Sequence, residues 1–272
     1  MPLVYQQHIS APVARDFMWL PVTTTAGGAY PFNGYNWTAE YDTTKFYPPI
    51  KYAVPSSMMG GALGDLFQFE VHANDSSNIG SERAELNEYT FLLAQDTNWY
   101  ISYAFKVLPG DTLSTPITSF NILGQMHKYT DQPTEHIDFH FWWIDDSLWL
   151  NCTNLTRFSP NGTVYQSTLL PRNQWHNVFV VFNKTSANPP VADVLQCWLN
   201  GVQVANVTTG ALYTNTGGAN TGAGSAWKFG IYRGPQTSTP LPTEIVQYAN
   251  MELTSTNISA RIANPLPWPV PK

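Results

Sequence analysis

Apolar and polar residues alternate with a period of two along much of this chain, the signature of strands buried on one face. Phe67-Gln68-Phe69-Glu70-Val71-His72 alternates in this way, as do Asp138-Phe139-His140-Phe141-Trp142-Trp143 and Asn177-Val178-Phe179-Val180-Val181-Phe182. Val194 to Leu199, Asn200-Gly201 and Val202 to Val207 predict a β-hairpin, because Asn-Gly supplies the positive φ of a type I′ turn. Glu244 to Thr254 predicts a last strand, and Thr214 to Ser225, rich in Gly, Asn and Thr, predicts a loop. No long segment places apolar residues at i, i+3, i+4 and i+7, and 21 prolines with 18 glycines punctuate the chain. Many strands separated by turn signals predict an all-β fold, a jelly-roll sandwich of two antiparallel sheets with a concave cleft. No linker divides it. One domain over residues 1–272 is expected, with a Pro-rich tail at 264–272.

Three further segments carry an unusual second face. In Trp227-Lys228-Phe229-Gly230-Ile231-Tyr232-Arg233 the apolar set can be buried, leaving Lys228, Gly230 and Tyr232 opposite. A glycine inside a strand marks a place where a ligand or another backbone comes close. In Glu82 to Glu88, burying Ala84 and Leu86 leaves Arg83, Glu85 and Asn87 on the other side. In Asn121 to His127, burying Ile122 and Met126 leaves Gln125 and His127. The exposed face of an antiparallel sheet is normally polar. Three segments that together offer Arg, Asn, Gln, His, Lys and Tyr, with few solubilising Lys or Glu, read better as a site.

Composition narrows the setting. Charged residues are 12% of the chain, against about 25% in typical soluble proteins. Asn, Thr, Ser and Gln must therefore wet the surface, as in many extracellular proteins. The net charge of −6 lacks the basic stripe of a nucleic-acid binder. No run of about 18 apolar residues predicts a membrane span. Sequons begin at Asn36, Asn74, Asn151, Asn154, Asn161, Asn183, Asn206 and Asn257. Cys152 and Cys197 are read either as one disulfide or as two buried thiols. A mature, secreted, glycosylated eukaryotic-type protein is expected, its signal removed and replaced by Met1, and working as a monomer.

Ser81-Glu82-Arg83-Ala84-Glu85-Leu86, then Gln125-x-His127, then Lys228-x-Gly230-x-Tyr232-Arg233 resemble the three signature strands of jelly-roll polysaccharide lyases. That group includes heparin lyase I, glucuronan lyases and a set of alginate lyases. Order and approximate spacing match over residues 65 to 255, and Trp175-His176-Asn177 and the Asn200-Gly201 hairpin resemble the family frame. Alginate lyases usually carry a second Arg where this chain has Asn87, and a Tyr-Phe-Lys-Ala-Gly form of the third motif. The third motif here is closer to the heparin and glucuronan branch. The resemblance implies β-elimination across a uronic acid of an anionic polysaccharide. It requires no cofactor and allows a structural Ca²⁺, although no Asp-rich loop of the EF-hand kind is visible.

The residue types suit that chemistry. The C5 proton beside the carboxylate is very weakly acidic, so the enzyme must neutralise the carboxylate as the enolate forms. Arg83 and the Gln125 amide are the candidates, with Asn87 or His72 in support. By family match His127 and Tyr232 are acid and base, within hydrogen-bond reach of C5 and O4. In glucuronate or mannuronate both groups leave from one side, and Tyr232 can serve both steps, with His127 lowering its pKa. In guluronate or iduronate they leave from opposite sides, and His127 is the base with Tyr232 the acid. Lys228 stands roughly 13 Å from Tyr232 along an extended strand, which suits a carboxylate at a neighbouring subsite.

His136, Asp138 and His140 share one strand face, but neighbours at i and i+2 stand about 6–7 Å apart, too far to converge on one metal ion. His140 and Trp142 are expected instead to line the cleft, and a core role for Trp142 is an equal alternative. Arg233, on the apolar side of its strand, is expected to pair at the strand end. A hydrolase would need two carboxylates flanking the bond, and Glu82 and Glu85 face opposite ways. A noncatalytic lectin is the more serious rival, but it has no use for His127 and Tyr232. Glucuronan is the preferred substrate. With 13 Lys and Arg in all, a groove for dense sulfation is not expected.

Overall fold

The computed structural model describes residues 14–15, 17–21, 29–32, 35–41, 50–55, 66–72, 82–88, 93–109, 121–128, 136–152, 162–186, 193–209, 212, 225–233, 243–266 and 270–271. Their strands are β1 (Ala14–Arg15), β2 (Phe17–Pro21), β3 (Ala29–Phe32), β4 (Tyr35–Tyr41), β5 (Ile50–Pro55), β6 (Leu66–Val71), β7 (Glu82–Glu88), β8 (Trp99–Val107) and β9 (Asn121–Lys128). There follow β10 (His136–Ile144), β11 (Ser147–Cys152), β12 (Thr163–Gln166), β13 (His176–Asn183), β14 (Val194–Leu199), β15 (Val202–Val207), β16 (Ser225–Arg233), β17 (Glu244–Thr254) and β18 (Val270–Pro271). The helical content among the described residues is one 3₁₀ turn, Ser259–Arg261.

Two 8-stranded antiparallel sheets face each other, as the jelly-roll reading expected. The first runs β15-β14-β13-β8-β17-β6-β5-β2 and the second β12-β11-β10-β9-β16-β7-β4-β3. A short parallel pair, β1 with β18, stands apart from both. Between the sheets lies one core. Phe67, Phe69, Tyr103, Phe105, Val246 and Tyr248 of the first sheet meet Leu86, Phe139, Phe141, Trp227, Phe229 and Ile231 of the second. The rings of Phe69, Phe229 and Tyr248 pack edge to face at centroid distances of 5.3–5.4 Å.

The hairpin at Asn200-Gly201 forms as read, with φ of 50° and 80° at its two central residues. Its Asn200 side chain accepts a hydrogen bond from the Asn177 amide and lies 3.3 Å from Nδ1 of buried His176. His176 Nε2 meets the Pro171 carbonyl at 3.0 Å, and burial lowers the ring's pKa. Trp175-His176-Asn177 is thus part of the frame. A second hairpin, β10–β11, turns at Asp145-Asp146, both at positive φ (48° and 55°). Strand β8, central in the first sheet, shows little alternation because both its faces are covered: Ala104 packs with Leu66, Ala249 and Trp175, and Tyr100 with Phe179, Val181 and Ile258.

Cys152 on β11 and Cys197 on β14 are held as two buried thiols, not a disulfide, and burial pushes the Cys197 thiol well up. Asn151 is 1% exposed, so the sequon there is closed to a glycan in the folded chain. Asn206 and Asn257 are exposed. The side chains of Asn36, Asn74, Asn154 and Asn161 lie outside the described residues, as does the loop from Thr214 up to Ser225, the first residue of β16. No described helix is long and apolar enough to cross a membrane.

Candidate active site

The three motif strands are direct neighbours in the second sheet, in the order β9-β16-β7, with β10 on the far side of β9. Residues paired across strands share a face, which turns the register into a map of the site. One row reads Asn87, Lys228, Gln125, His140, Asn151. The next along β16 holds Glu85 and Gly230, and the one after it Arg83, Tyr232, Ile122, Trp142 and Trp149. His127 lies on the opposite side of the first row, across from Ala226.

The rows are not evenly spaced, because β9 slips. Against β16, Gly124 pairs with Phe229 but Ile122 pairs with Tyr232, so Gly230 and Ile231 together face Leu123. Against β10, Gly124 pairs with Phe141 and Ile122 with Trp142. Such a bulge bends the strand and re-aims side chains. It corrects one expectation: Leu123, not Ile122, joins Met126 in the core, and Ile122 turns to the site face beside Tyr232. Gly124 is held against the Trp227 ring, where a Cβ would come within 2.9 Å.

Of the two close approaches expected at Gly230, a ligand or another backbone, the structure shows the backbone. The Gly230 φ of 139° belongs to glycine, and a Cβ there would lie 2.3 Å from the Ala84 carbonyl oxygen. The close neighbour is therefore the backbone of β7. Tyr248, from the opposite sheet, spans the core and donates its phenol proton between the carbonyls of Leu123 (2.6 Å) and Gly230 (2.9 Å). Both carbonyls belong to the bulge.

Arg83 lies over the Tyr232 ring, its Cζ 3.9 Å from the centroid. Its Nε stands 3.3 Å from one oxygen of Glu85, and the Gln125 Nε2 donates to the other at 2.9 Å. Glu85 is fully buried. It joins three predicted residues into one constellation, and it was not itself predicted to act. The signal for it was present in the alternation, which set Glu85 on the face of Arg83; weighing it only as half of a hydrolase pair hid its role. Glu82 does face the other way, to Arg233.

Arg233 is buried, as expected of a strand-end pair. It contacts Glu82 and the His72 carbonyl, with Glu244 at 3.9 Å. Asn121 donates to both Glu244 oxygens. Burial raises the Glu244 pKa, opposed first by Arg233 and then by the Asn121 hydrogen bond. This network fixes β16 one residue beyond Tyr232.

Lys228 and Gln125 are direct cross-strand neighbours, so Lys228 stands beside a predicted carboxylate donor as well as four residues from Tyr232. His140 and Trp142 do share the site side of β10, their rings 5.0 Å apart. Asn87 lies opposite Lys228, but its side chain is outside the described residues. His72 follows β6 of the first sheet, and its carbonyl lies 3.4 Å from a terminal guanidinium nitrogen of Arg233, the residue after Tyr232. The His72 Nε2 meets Glu70 at 2.6 Å beside β6, in the other sheet. Asp138 leaves the face expected of it, since a bulge between Ile137 and Phe139 turns it to Lys184 Nζ and Ser225 Oγ, both at 2.6 Å. Among the described residues no three His, Cys, Asp or Glu stand together to hold a metal ion.

A family model described as polysaccharide lyase matches residues 38–247. Among solved structures, the endo-β-1,4-glucuronan lyase from the fungus Trichoderma reesei is similar at 14% identity, covering 89% of this chain and 96% of that one, with a TM-score of 0.52. Alginate lyase Aly36B is similar at 10% identity, covering 88% and 97%, with a TM-score of 0.51. At these identities the likeness is one of fold. No curated protein matches the chain.

Proposed function

This chain belongs to the polysaccharide lyase family, and from that premise we propose that it cleaves β-1,4-linked glucuronan by β-elimination. The observation that carries the reading is the meeting of Arg83, Tyr232, Glu85 and Gln125 on one face of β7, β16 and β9. In the proposed step a uronate carboxylate lies against Arg83 and Gln125, and Lys228 reads the carboxylate of a neighbouring sugar. The phenolate oxygen of Tyr232 takes the C5 proton, the C5 electron pair forms the C4–C5 double bond as the C4–O4 bond breaks, and the phenol so formed returns the proton to O4.

One residue can serve both ends of the step only when proton and leaving group share a side, as they do in glucuronate. The register supports that choice. His127 stands five positions along β9 from Ile122, the residue opposite Tyr232, about 16 Å of extended strand at roughly 3.3 Å per residue. His127 then orients the chain or its neighbours rather than sharing the proton. Asn87 in place of the second arginine of alginate lyases favours glucuronate over alginate, and the low cation count disfavours a densely sulfated chain. Secretion belongs to the same proposal, supported by the polymeric nature of the substrate and by the exposed sequons at Asn206 and Asn257.

Incubation with glucuronan, alginate and heparin, followed by ultraviolet absorbance of the unsaturated product, tests the reading. Glucuronan should give the strongest signal. Tyr232→Phe should lose turnover by at least about 10²-fold, the low end for a general acid or base, while still binding the polymer. A Tyr232→Phe protein that keeps most of its activity removes the proton-transfer role. Binding without product on every polyuronate would favour the noncatalytic lectin.

A further inference from the structure

We propose that the outer face of β9, β10 and β11 is a charge-free subsite that reads the hydroxyl groups of an unsulfated sugar next to the uronate being cleaved. The position of that uronate rests on the lyase reading above; the subsite itself rests on a different set of atoms.

Gln125, His140 and Asn151 stand side by side on three adjacent strands. Gln125 and Asn151 are each 1% exposed. Within this row Gln125 Oε1, both ring nitrogens of His140 and Asn151 Nδ2 are buried and have no hydrogen-bond partner among the described residues. Leaving such an atom unsatisfied forfeits its hydration without return, and folded proteins leave few. Unpartnered indole nitrogens do not make the case, since Trp143 and Trp227 show them in the core as well. The amides and the imidazole do.

Neighbours fix their orientation. Glu85 accepts from Gln125 Nε2, which assigns that amide and leaves its Oε1 as the atom with nothing to accept. Thr163 Oγ1 donates to Asn151 Oδ1 at 2.9 Å, which leaves the Asn151 Nδ2 protons to give. Burial lowers the His140 pKa to about 4, so at neutral pH one ring nitrogen donates and the other accepts. The row therefore offers an acceptor, a donor–acceptor pair and a donor. Hydroxyl groups, which both give and accept, match it.

An ionised group set directly against the row does not, so a neighbouring glucuronate would turn its hydroxyls to the row and its carboxylate away from it. No described side chain on the outer face of β9 to β12 is charged, because Asp138 is turned away to Lys184. A sulfate placed there would lose its hydration and meet only neutral partners. The cations Arg83 and Lys228 lie on β7 and β16. A chain crossing the strands would thus be read by charge on one side and by hydroxyls on the other.

The test compares glucuronan bearing free hydroxyls with the same polymer O-acetylated, using wild type, Asn151→Ala and His140→Gln. On the free polymer each substitution should lower kcat/KM about tenfold, the size of one lost hydrogen bond. On the acetylated polymer, whose hydroxyls are blocked, variants and wild type should agree within about twofold. Equal losses on both polymers, or none on either, would overturn the subsite. Calorimetry with cellohexaose, a neutral β-1,4-glucan, separates this idea from the lyase reading. Binding that disappears in Asn151→Ala supports the subsite even if no polyuronate is cleaved, and absence of binding to wild type counts against it. Should Asn151→Ala fail to fold, His140→Gln carries both comparisons.

Discussion

Glu85 is shut away from solvent with Arg83 on one oxygen and Gln125 on the other, so two groups that would meet a substrate carboxylate are placed by a third that would repel it. A buried carboxylate is tolerable only when paired and hydrogen-bonded in this way. Glu85→Gln keeps the shape but gives up the ion pair and half of the acceptor capacity. Turnover should fall by about 10²-fold, as when a catalytic group shifts by about 1 Å. A rate within threefold of wild type would mean that Arg83 and Gln125 hold their places alone. Legibility at this scale was uneven. Arg83, Gln125, Lys228 and Tyr232 could be read because alternation fixes faces. His72 was harder to place, because alternation says nothing about which sheet a strand joins, and β6 joined the other one.

Strands were legible where their turns carried a chemical mark. Asn200-Gly201 announced its hairpin; Asp145-Asp146 did the same work without a glycine, through the tolerance of Asp for positive φ. The slip in β9 had no such mark. It arises where Gly124 and Gly230 lie on neighbouring strands, and it moves Ile122 and Leu123 to the faces opposite those that strict alternation gives. A one-residue shift exchanges faces for everything beyond it. The bulge therefore decides which residues stand beside Tyr232. Gly230→Ala should destabilise the protein by at least about 1–3 kcal/mol, from the strained φ alone, measured by urea unfolding. No change in midpoint would show that the bulge can relax around a side chain.

Across the whole molecule, the two sheets are tied by more than apolar packing. Arg233 and Asn121 of the second sheet meet Glu244 of the first in a buried network, and Tyr248 crosses the core to the bulge. Removing one partner strands the rest without compensation. Arg233→Met should cost about 3–5 kcal/mol in chemical denaturation, and a loss below about 1 kcal/mol would show the network to be dispensable. The fold class was open to reading because sandwich strands announce themselves by period and turn. The cross-core ties were not, since Glu244 and Tyr248 lie in β17, far along the chain from the strands they meet, and nothing local points across the sandwich. The Tyr248 tie bears on how specificity could be redesigned. Its phenol holds two carbonyls of β9 and β16, so changes to β16, the strand of Tyr232, disturb the interior as well. Strands β10 and β11 carry His140, Trp142 and Asn151 without the Tyr248 tie, and the tie of β10 through Asp138 to Lys184 and Ser225 is made by a residue turned away from that face. A library meant to alter which polysaccharide is accepted should be built there, on the half of the face that can vary without unsettling the chemistry.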